Sequence, residues 1–354
     1  MNTAKAYIKG RGAQMRPVNR FDKYQDVDEQ LYSWVQEERD MKTKYIAVKP
    51  KTIVNSVKSP DLNFAYSINP FQGCEHGCVY CYARNTHNYW GYSAGIDFEQ
   101  TVLIKQNAAT LLARKLKSKT WEAKPIMLSG NTDCYQPIEK KLGITRDLLK
   151  VFWRYRHPVQ IITKNDLILR DLDYLKLLAS ENLVQVAISV TSLDDDLRSI
   201  MEPRTSTTAK RLNTIKVLTD HGIPVVAMLA PIIPNINDHE IFDMMQAVAN
   251  AGAYDAKYVL VRLNGDVAKI FKDWAYKNFP DRADKIIKRI EDCHGGTTED
   301  SRFGTRMRGE GVFAEMIAKQ YKLAKLKYLT PKPIPKLNTT MHAAYKTPQL
   351  QLFR

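Results

Sequence analysis

Cys74, Cys78 and Cys81 form the run Cys-Glu-His-Gly-Cys-Val-Tyr-Cys, directly after Asn69-Pro70-Phe71-Gln72-Gly73. Thiolates packed this closely in one loop can fold around an inorganic cube, and they are the usual protein ligands of iron–sulfur clusters. Three thiolates hold three irons of a [4Fe–4S] cluster and leave the last iron open to an outside ligand. Zinc is the competing reading. Structural zinc takes four protein ligands, so His76 or His87 would have to complete the set, with His76 strained inside so short a loop. A disulfide fits poorly, because five cysteines cannot pair fully. Of the other two, Cys134 reads either as a thiol facing a site or as a small buried hydrophobe, and Cys293 as structural.

The elements that must hold this loop alternate between two periodicities. Ala65 to Asn69 reads as a short strand, and Val102 to Lys117 as helical. Apolar strands follow at Pro125–Ser129, Val159–Thr163, Val184–Val190, Ile223–Leu229 and Lys257–Leu263. Between them lie helices at Thr145–Tyr155, Asp171–Ser180 (Asp171 supporting the first turn), Thr207–His221 and His239–Ala251. Strands alternating with helices mean parallel βαβ units. Six strands are too few for a closed eight-stranded barrel, so the expected fold is α/β, a partial (β/α)6 barrel with N- and C-terminal extensions. Reactive groups then belong in the loops at the C-terminal strand ends, where the cysteine loop lies. The expected organisation is a basic N-terminal extension over 1–63, with a helical candidate near Glu29 to Glu38. The barrel spans 64–263 and a helical and Gly/Arg-loop region 264–329, with a last helix near Val312 to Leu326. A basic tail covers 330–354, where Pro331, Pro333 and Pro335 read as a stiff exposed linker.

The chain has 354 residues, 44% of them hydrophobic, enough for a sizeable core. Neither an apolar run long enough to span a membrane nor a secretory signal is evident. Few cysteines, mostly clustered, suit the reducing cytoplasm. The net charge of +15 favours a polyanionic partner, nucleic acid first.

The Cx3CxxC spacing resembles the signature of the radical S-adenosylmethionine (SAM) superfamily. The resemblance implies a [4Fe–4S] cluster on Cys74, Cys78 and Cys81, with SAM chelating the open iron. Reductive cleavage of SAM then yields a 5′-deoxyadenosyl radical that abstracts hydrogen from a substrate. It places Tyr80 by the adenine and assigns SAM to the later strand ends. Asp133 offers an anion to the SAM ammonium, Gly130 allows close backbone approach, and Thr132 lies between them. Lys164 can meet the SAM carboxylate, Ser189 and Thr191 the ribose or carboxylate, and Ala230 a pressed ligand.

Thr132-Asp133-Cys134-Tyr135-Gln136-Pro137-Ile138-Glu139, Glu202-Pro203-Arg204, Lys9-Gly10-Arg11-Gly12-Ala13 and Arg306-Met307-Arg308-Gly309-Glu310-Gly311 look like the spore photoproduct lyase-related branch, often labelled DNA repair photolyase. That lyase carries a hydrogen-donating cysteine at its second strand end, a place that falls near Gly130 here. Cys134, a few residues on, is the catalytic candidate. Substrate contacts are expected from His87, Tyr89, Trp90 and Tyr92, and from Arg302, Arg306 and Arg308 in a flexible phosphate-binding loop. Arg204 either contacts SAM or pairs with Glu202. The expected partners are nucleic acid and a reductant such as flavodoxin or ferredoxin. The terminal Gln349-Leu350-Gln351-Leu352-Phe353 resembles the motif that occupies the groove of the bacterial DNA sliding clamp. The alternatives are a radical SAM enzyme acting on a protein or small molecule, and a non-catalytic zinc-containing nucleic-acid-binding module.

Overall fold

The computed structural model describes residues 7–21, 42–62, 64–330 and 332–346. The helical candidate at Glu29 to Glu38 and the terminal Gln349–Phe353 lie outside these residues.

Among the described residues ten strands form in chain order: β1 (Lys44–Val48), β2 (Asn55–Ser56), β3 (Tyr66–Ile68), β4 (Phe71–Gln72), β5 (Thr101–Lys105), β6 (Ile126–Leu128), β7 (Val159–Thr163), β8 (Val184–Ser189), β9 (Val225–Ile232) and β10 (Asp255–Leu260). Strands β3, β6, β7, β8, β9 and β10 lie side by side in that sequence, every neighbouring pair parallel. β3 and β10 do not pair with each other, and β2 pairs antiparallel on the outer side of β3. The six-stranded α/β layout matches the expectation.

Alternation within each strand separates two faces. Val159, Ile161, Val184, Val186, Ile188, Val225, Ala227 and Leu229 are buried in one core with helical residues such as Leu148, Phe152, Leu175, Ile215, Leu218 and Met244. The opposite set, Met127, Gln160, Ile162, Gln185, Ala187, Val226 and Met228, is only partly buried and lines the lumen. The register puts Met127, Gln160 and Gln185 in one layer.

Three expectations are corrected. Thr101–Lys105 is a strand, and the helix begins only at Ala108. Thr-Val-Leu-Ile is apolar without a helical period and is buried on both faces. β5 pairs parallel with β1 and antiparallel with β4, so part of the N-terminal extension joins a second sheet beside the cysteine loop. The proline-rich tail is also more than a linker. Lys332 N donates to Tyr254 O, Gln185 Nε2 to Pro335 O, and Asn338 N to Asn182 O. His342 Nδ1 then meets Tyr155 O, and Lys346 Nζ donates to Ser118 O and Trp121 O. These partners precede β10, β7 and β6 or belong to β8 and its approach, so the tail runs across the bottom of the open barrel. Asp171 precedes its helix without a capping bond, because its carboxylate binds Arg146, Arg170 and Tyr135 instead.

Candidate active site

The cysteine loop is fixed by backbone before any cofactor is considered. Cys74 N donates to Phe98 O at 2.8 Å, drawing the loop onto the helix that leads into β5. Gly73 has φ +81°, and a Cβ there would lie 2.4 Å from Thr101 O, so only glycine admits this approach. On the other flank a Cβ on Gly12 would stand 1.8 Å from Gly77 O. The N-terminal segment therefore presses directly on the loop.

An ion knot locks that contact. Arg84 and Glu99, both fully buried, pair at 2.5 Å. Arg84 also donates to the carbonyls of Cys78, Gly77, Ala94 and Gly95. Glu99 accepts from Gly12 N and Ala13 N. Glu75 works similarly, accepting from Tyr45 Oη and Ile138 N, while its own N–H donates to Gln136 Oε1. Sequence reading missed Arg84, Glu99 and Glu75 as supports. Their signal was a charge placed within or beside an otherwise small and apolar loop.

The three thiols are free and gathered in this loop, Cys74 and Cys78 buried and Cys81 half-buried. Burial pushes the Cys78 and Cys81 thiols up, and neighbouring cysteines push them further, which places the sulfurs within one another's field. Among the described residues, no three His, Cys, Asp or Glu side chains gather where a single metal ion could sit. A cube takes its thiolates at separate corners, and three soft donors in one loop are the donor set it needs.

His76 lies behind Cys74. Burial alone would lower its pKa, but Asp133 Oδ2 at 3.3 Å and the Cys74 sulfur raise it to about 10. The Asp133 carboxylate also accepts from Tyr135 N, Thr163 Oγ1 and Lys164 N. With these donors in place, Asp133 is a brace joining the cysteine loop to the ends of β6 and β7, not the free anion expected for the SAM ammonium. Thr132 is likewise engaged, its hydroxyl donating to Phe71 O. Tyr80 is buried, and its hydroxyl donates to Glu202, which pairs with Arg211. The alternative pairing of Arg204 with Glu202 is therefore overturned: Arg204 donates to Gly10 O and sits 3.7 Å from Glu75.

The other candidates lie at or near the remaining strand ends. Lys164 is half-buried, and its ammonium lowers the pKa of both Cys78 and Cys81, yet among the described residues that ammonium makes no hydrogen bond or ion pair. Ser189 ends β8 and Thr191 lies two residues beyond it, where Arg211 Nη1 reaches Ser189 O and lies 3.5 Å from Thr191 Oγ1. Ala230 lies in β9 and is partly buried. Gly130 accepts at its carbonyl from Tyr82, the residue after Cys81.

Cys134 does not reach the mouth. It is fully buried in the main core, with its N–H bonded to Ser129 Oγ and its carbonyl to Thr145 Oγ1. Tyr135 N–H binding to Asp133 turns the chain inward here, so the catalytic role expected for Cys134 is corrected to a core one. His87 is also packing. It is buried, stacks 5.1 Å from Tyr92 and meets Phe98 edge-on, and burial lowers its pKa to about 4. The flexible arginine loop is pinned instead: Arg302 pairs with Asp300 and Glu310, Arg306 with Asp61, and Arg308 covers the Tyr258 ring. Tyr89 and Trp90 remain exposed.

Comparison with known proteins agrees with this geometry. Residues 68–248 match the radical SAM superfamily. An uncharacterised protein of Methanocaldococcus jannaschii is 31% identical over 249 residues, covering 70% of this chain and 88% of that protein. An uncharacterised protein of Mycobacterium tuberculosis is 30% identical over 234 residues, covering 65% of this chain and 69% of that protein. Among solved structures, a spore photoproduct lyase variant with bound AdoMet and dinucleoside spore photoproduct superposes with a TM-score of 0.59 at 14% identity, over 80% of this chain and 79% of the lyase. That likeness shows a shared fold. The chain is an enzyme of the radical SAM superfamily, whose members use a [4Fe–4S] cluster and SAM.

Proposed function

We propose that this enzyme acts on nucleic acid. The observation that carries the reading is the aromatic and basic apron beside the cysteine loop. Tyr89 and Trp90 are exposed there, Phe21 packs 4.8 Å from Tyr89, and the Arg20 guanidinium lies over both Phe21 and Tyr89. Aromatic faces with cations beside them are a stacking platform for bases. The charge of +15 adds attraction for a phosphate backbone.

In this reading Cys74, Cys78 and Cys81 would hold the cluster, which would supply the electron for reductive cleavage of SAM. The unpartnered ammonium of Lys164 takes the SAM carboxylate. Ser189 and Thr191 address its polar groups, Tyr80 flanks the adenine, and Gly130 and Ala230 leave space at the rim. Thr132 and Asp133 hold these groups in place. A flavodoxin or ferredoxin in the cytoplasm is the proposed reductant. Because Cys134 is buried, hydrogen return through a cysteine at the second strand end, as in the lyase, forms no part of the proposal.

The test is anaerobic incubation with SAM, dithionite and deuterated DNA or RNA. Deuterium in 5′-deoxyadenosine supports the reading. Failure to bind either nucleic acid at about 50 mM salt sinks it and favours a protein or small-molecule substrate. The chain leaves the described residues at Lys346, on the face opposite the strand ends. We further propose that Gln349–Phe353 binds the DNA sliding clamp from there. A peptide covering 347–354 is expected to bind the clamp with micromolar affinity, about −8 kcal/mol, and to lose it when Leu352 and Phe353 become alanine. Absence of binding by both peptide and whole protein removes the clamp from the reading.

A further inference from the structure

Arg262 lies just beyond β10, on the rim that also carries Lys164 and Ser189. Its backbone is held on both sides: Val261 N donates to Ile232 O, and Leu263 N to Thr298 O. Val261 and Leu263 are buried, whereas Arg262 is half-buried. The side chain therefore starts from a fixed point and reaches the open rim.

Among the described residues, other rim arginines are already partnered. Arg306 binds Asp61 and Ser59, Arg302 binds Asp300 and Glu310, and Arg204 binds Gly10 O. Among the described residues Arg262 makes no hydrogen bond, ion pair or ring contact through its side chain. Its nearest acids are committed elsewhere, Asp61 to Arg306 and Gly304 N, and Asp300 to Arg302 and His294. Burial, and then the positive charge of Arg306, lower the pKa of Arg262. A guanidinium held partly dry beside a second cation is costly unless an anion from outside completes it.

Its place indicates which anion. Lys164 follows β7, and its N–H shares the Asp133 carboxylate with His76 of the cysteine loop, so it stands on the side proposed for SAM. Arg262 instead lies two residues before Asn264, whose carbonyl accepts from Asn85 Nδ2 in the short helix Tyr82–Trp90 that follows Cys81 and begins with the 53% exposed Tyr82. The same helix carries the exposed Tyr89 and Trp90, so Arg262 borders the aromatic apron of the proposed nucleic-acid face. We propose that Arg262 anchors the substrate through an oxyanion, a backbone phosphodiester seated beside Tyr82. This assignment rests on the nucleic-acid reading above. The guanidinium fork suits a phosphate, giving two parallel charge-assisted hydrogen bonds that a lysine cannot reproduce.

The test uses the reconstituted holoenzyme and a labelled single-stranded oligonucleotide, with binding measured across a salt series. Wild type, Arg262→Gln and Arg262→Lys are compared, and iron content and SAM affinity are measured on the same preparations. Arg262→Gln is expected to weaken oligonucleotide binding about 10-fold or more, with iron and SAM affinity unchanged. The log–log salt slope should shrink by about 1, as for one lost phosphate contact, whereas Arg262→Lys keeps the slope. If wild type binds and Arg262→Gln binds equally well with the same slope, the anchor is refuted while the nucleic-acid reading stands. Loss of SAM affinity in place of oligonucleotide affinity assigns the carboxylate of SAM to Arg262 and also overturns the proposal. Failure of the wild type itself to bind overturns the substrate reading, and the anchor falls with it.

Discussion

Replacing Glu99 by glutamine tests whether the cysteine loop is held from behind. One Glu99 oxygen accepts from Arg84 and Ala13 N, the other from Gly12 N. An amide of the same shape keeps one acceptor and turns the other into a donor, so it must face either a guanidinium or a backbone N–H. It also leaves Arg84 charged where both partners are 0% exposed. Removing one partner of a buried pair costs about 3–5 kcal/mol. That is a large share of the roughly 5–15 kcal/mol that stabilises a domain. Because Arg84 also holds the carbonyls of Gly77 and Cys78, the loss should appear in the cysteine loop as well as in global stability. The assay is denaturant unfolding of the purified protein, alongside iron content after anaerobic reconstitution. A destabilisation below about 1 kcal/mol with full iron incorporation would refute the claim that this knot organises the loop.

Cys74→Ala, Cys78→Ala and Cys81→Ala are each expected to lose the intact cluster and SAM cleavage, whereas Cys293→Ala and Cys134→Ala keep both; iron analysis and 5′-deoxyadenosine formation decide. Lys164→Ala should weaken SAM binding about 10- to 100-fold with iron unchanged, through loss of a charge-assisted contact. Asp133→Ala should lower iron retention as well, because its carboxylate braces His76 and the β7 end, and retention of full iron would count against that brace. The last expectation concerns pH. Burial lowers the pKa of His87 to about 4 and of His157 to about 3. The unfolded chain, with histidines near 6.5, therefore binds these protons first. Stability is intact above about pH 6.5 and falls as pH drops toward the folded values, by about 2 kcal/mol per histidine at pH 5. Thermal melts across this range should flatten in His157→Gln; an unchanged pH slope would contradict the assignment.

The cysteine spacing and the alternation of apolar strands with helices were sufficient for the cofactor chemistry and the six-strand layout. Both are local signals: ligand type at short range, and a period of two against one of 3.6. Val159–Thr163 and Val184–Ser189 show this, since their buried faces appear as alternating apolar residues before any partner is known. The Thr101–Lys105 strand was less legible, because its identity comes from pairing with β1 and β4, far away in the chain. Side-chain roles were legible only as residue types. Asp133 and Lys164 looked equally suited to SAM, yet folding gives the carboxylate several protein donors and leaves the ammonium without an acceptor among the described residues. Cys134 stands near the right strand end, but the turn after Asp133 buries its sulfur. Sequence fixes which groups a loop can offer. Whether a charge or a thiol stays free for a ligand depends on partners brought in from other elements, and only the tertiary structure supplies those.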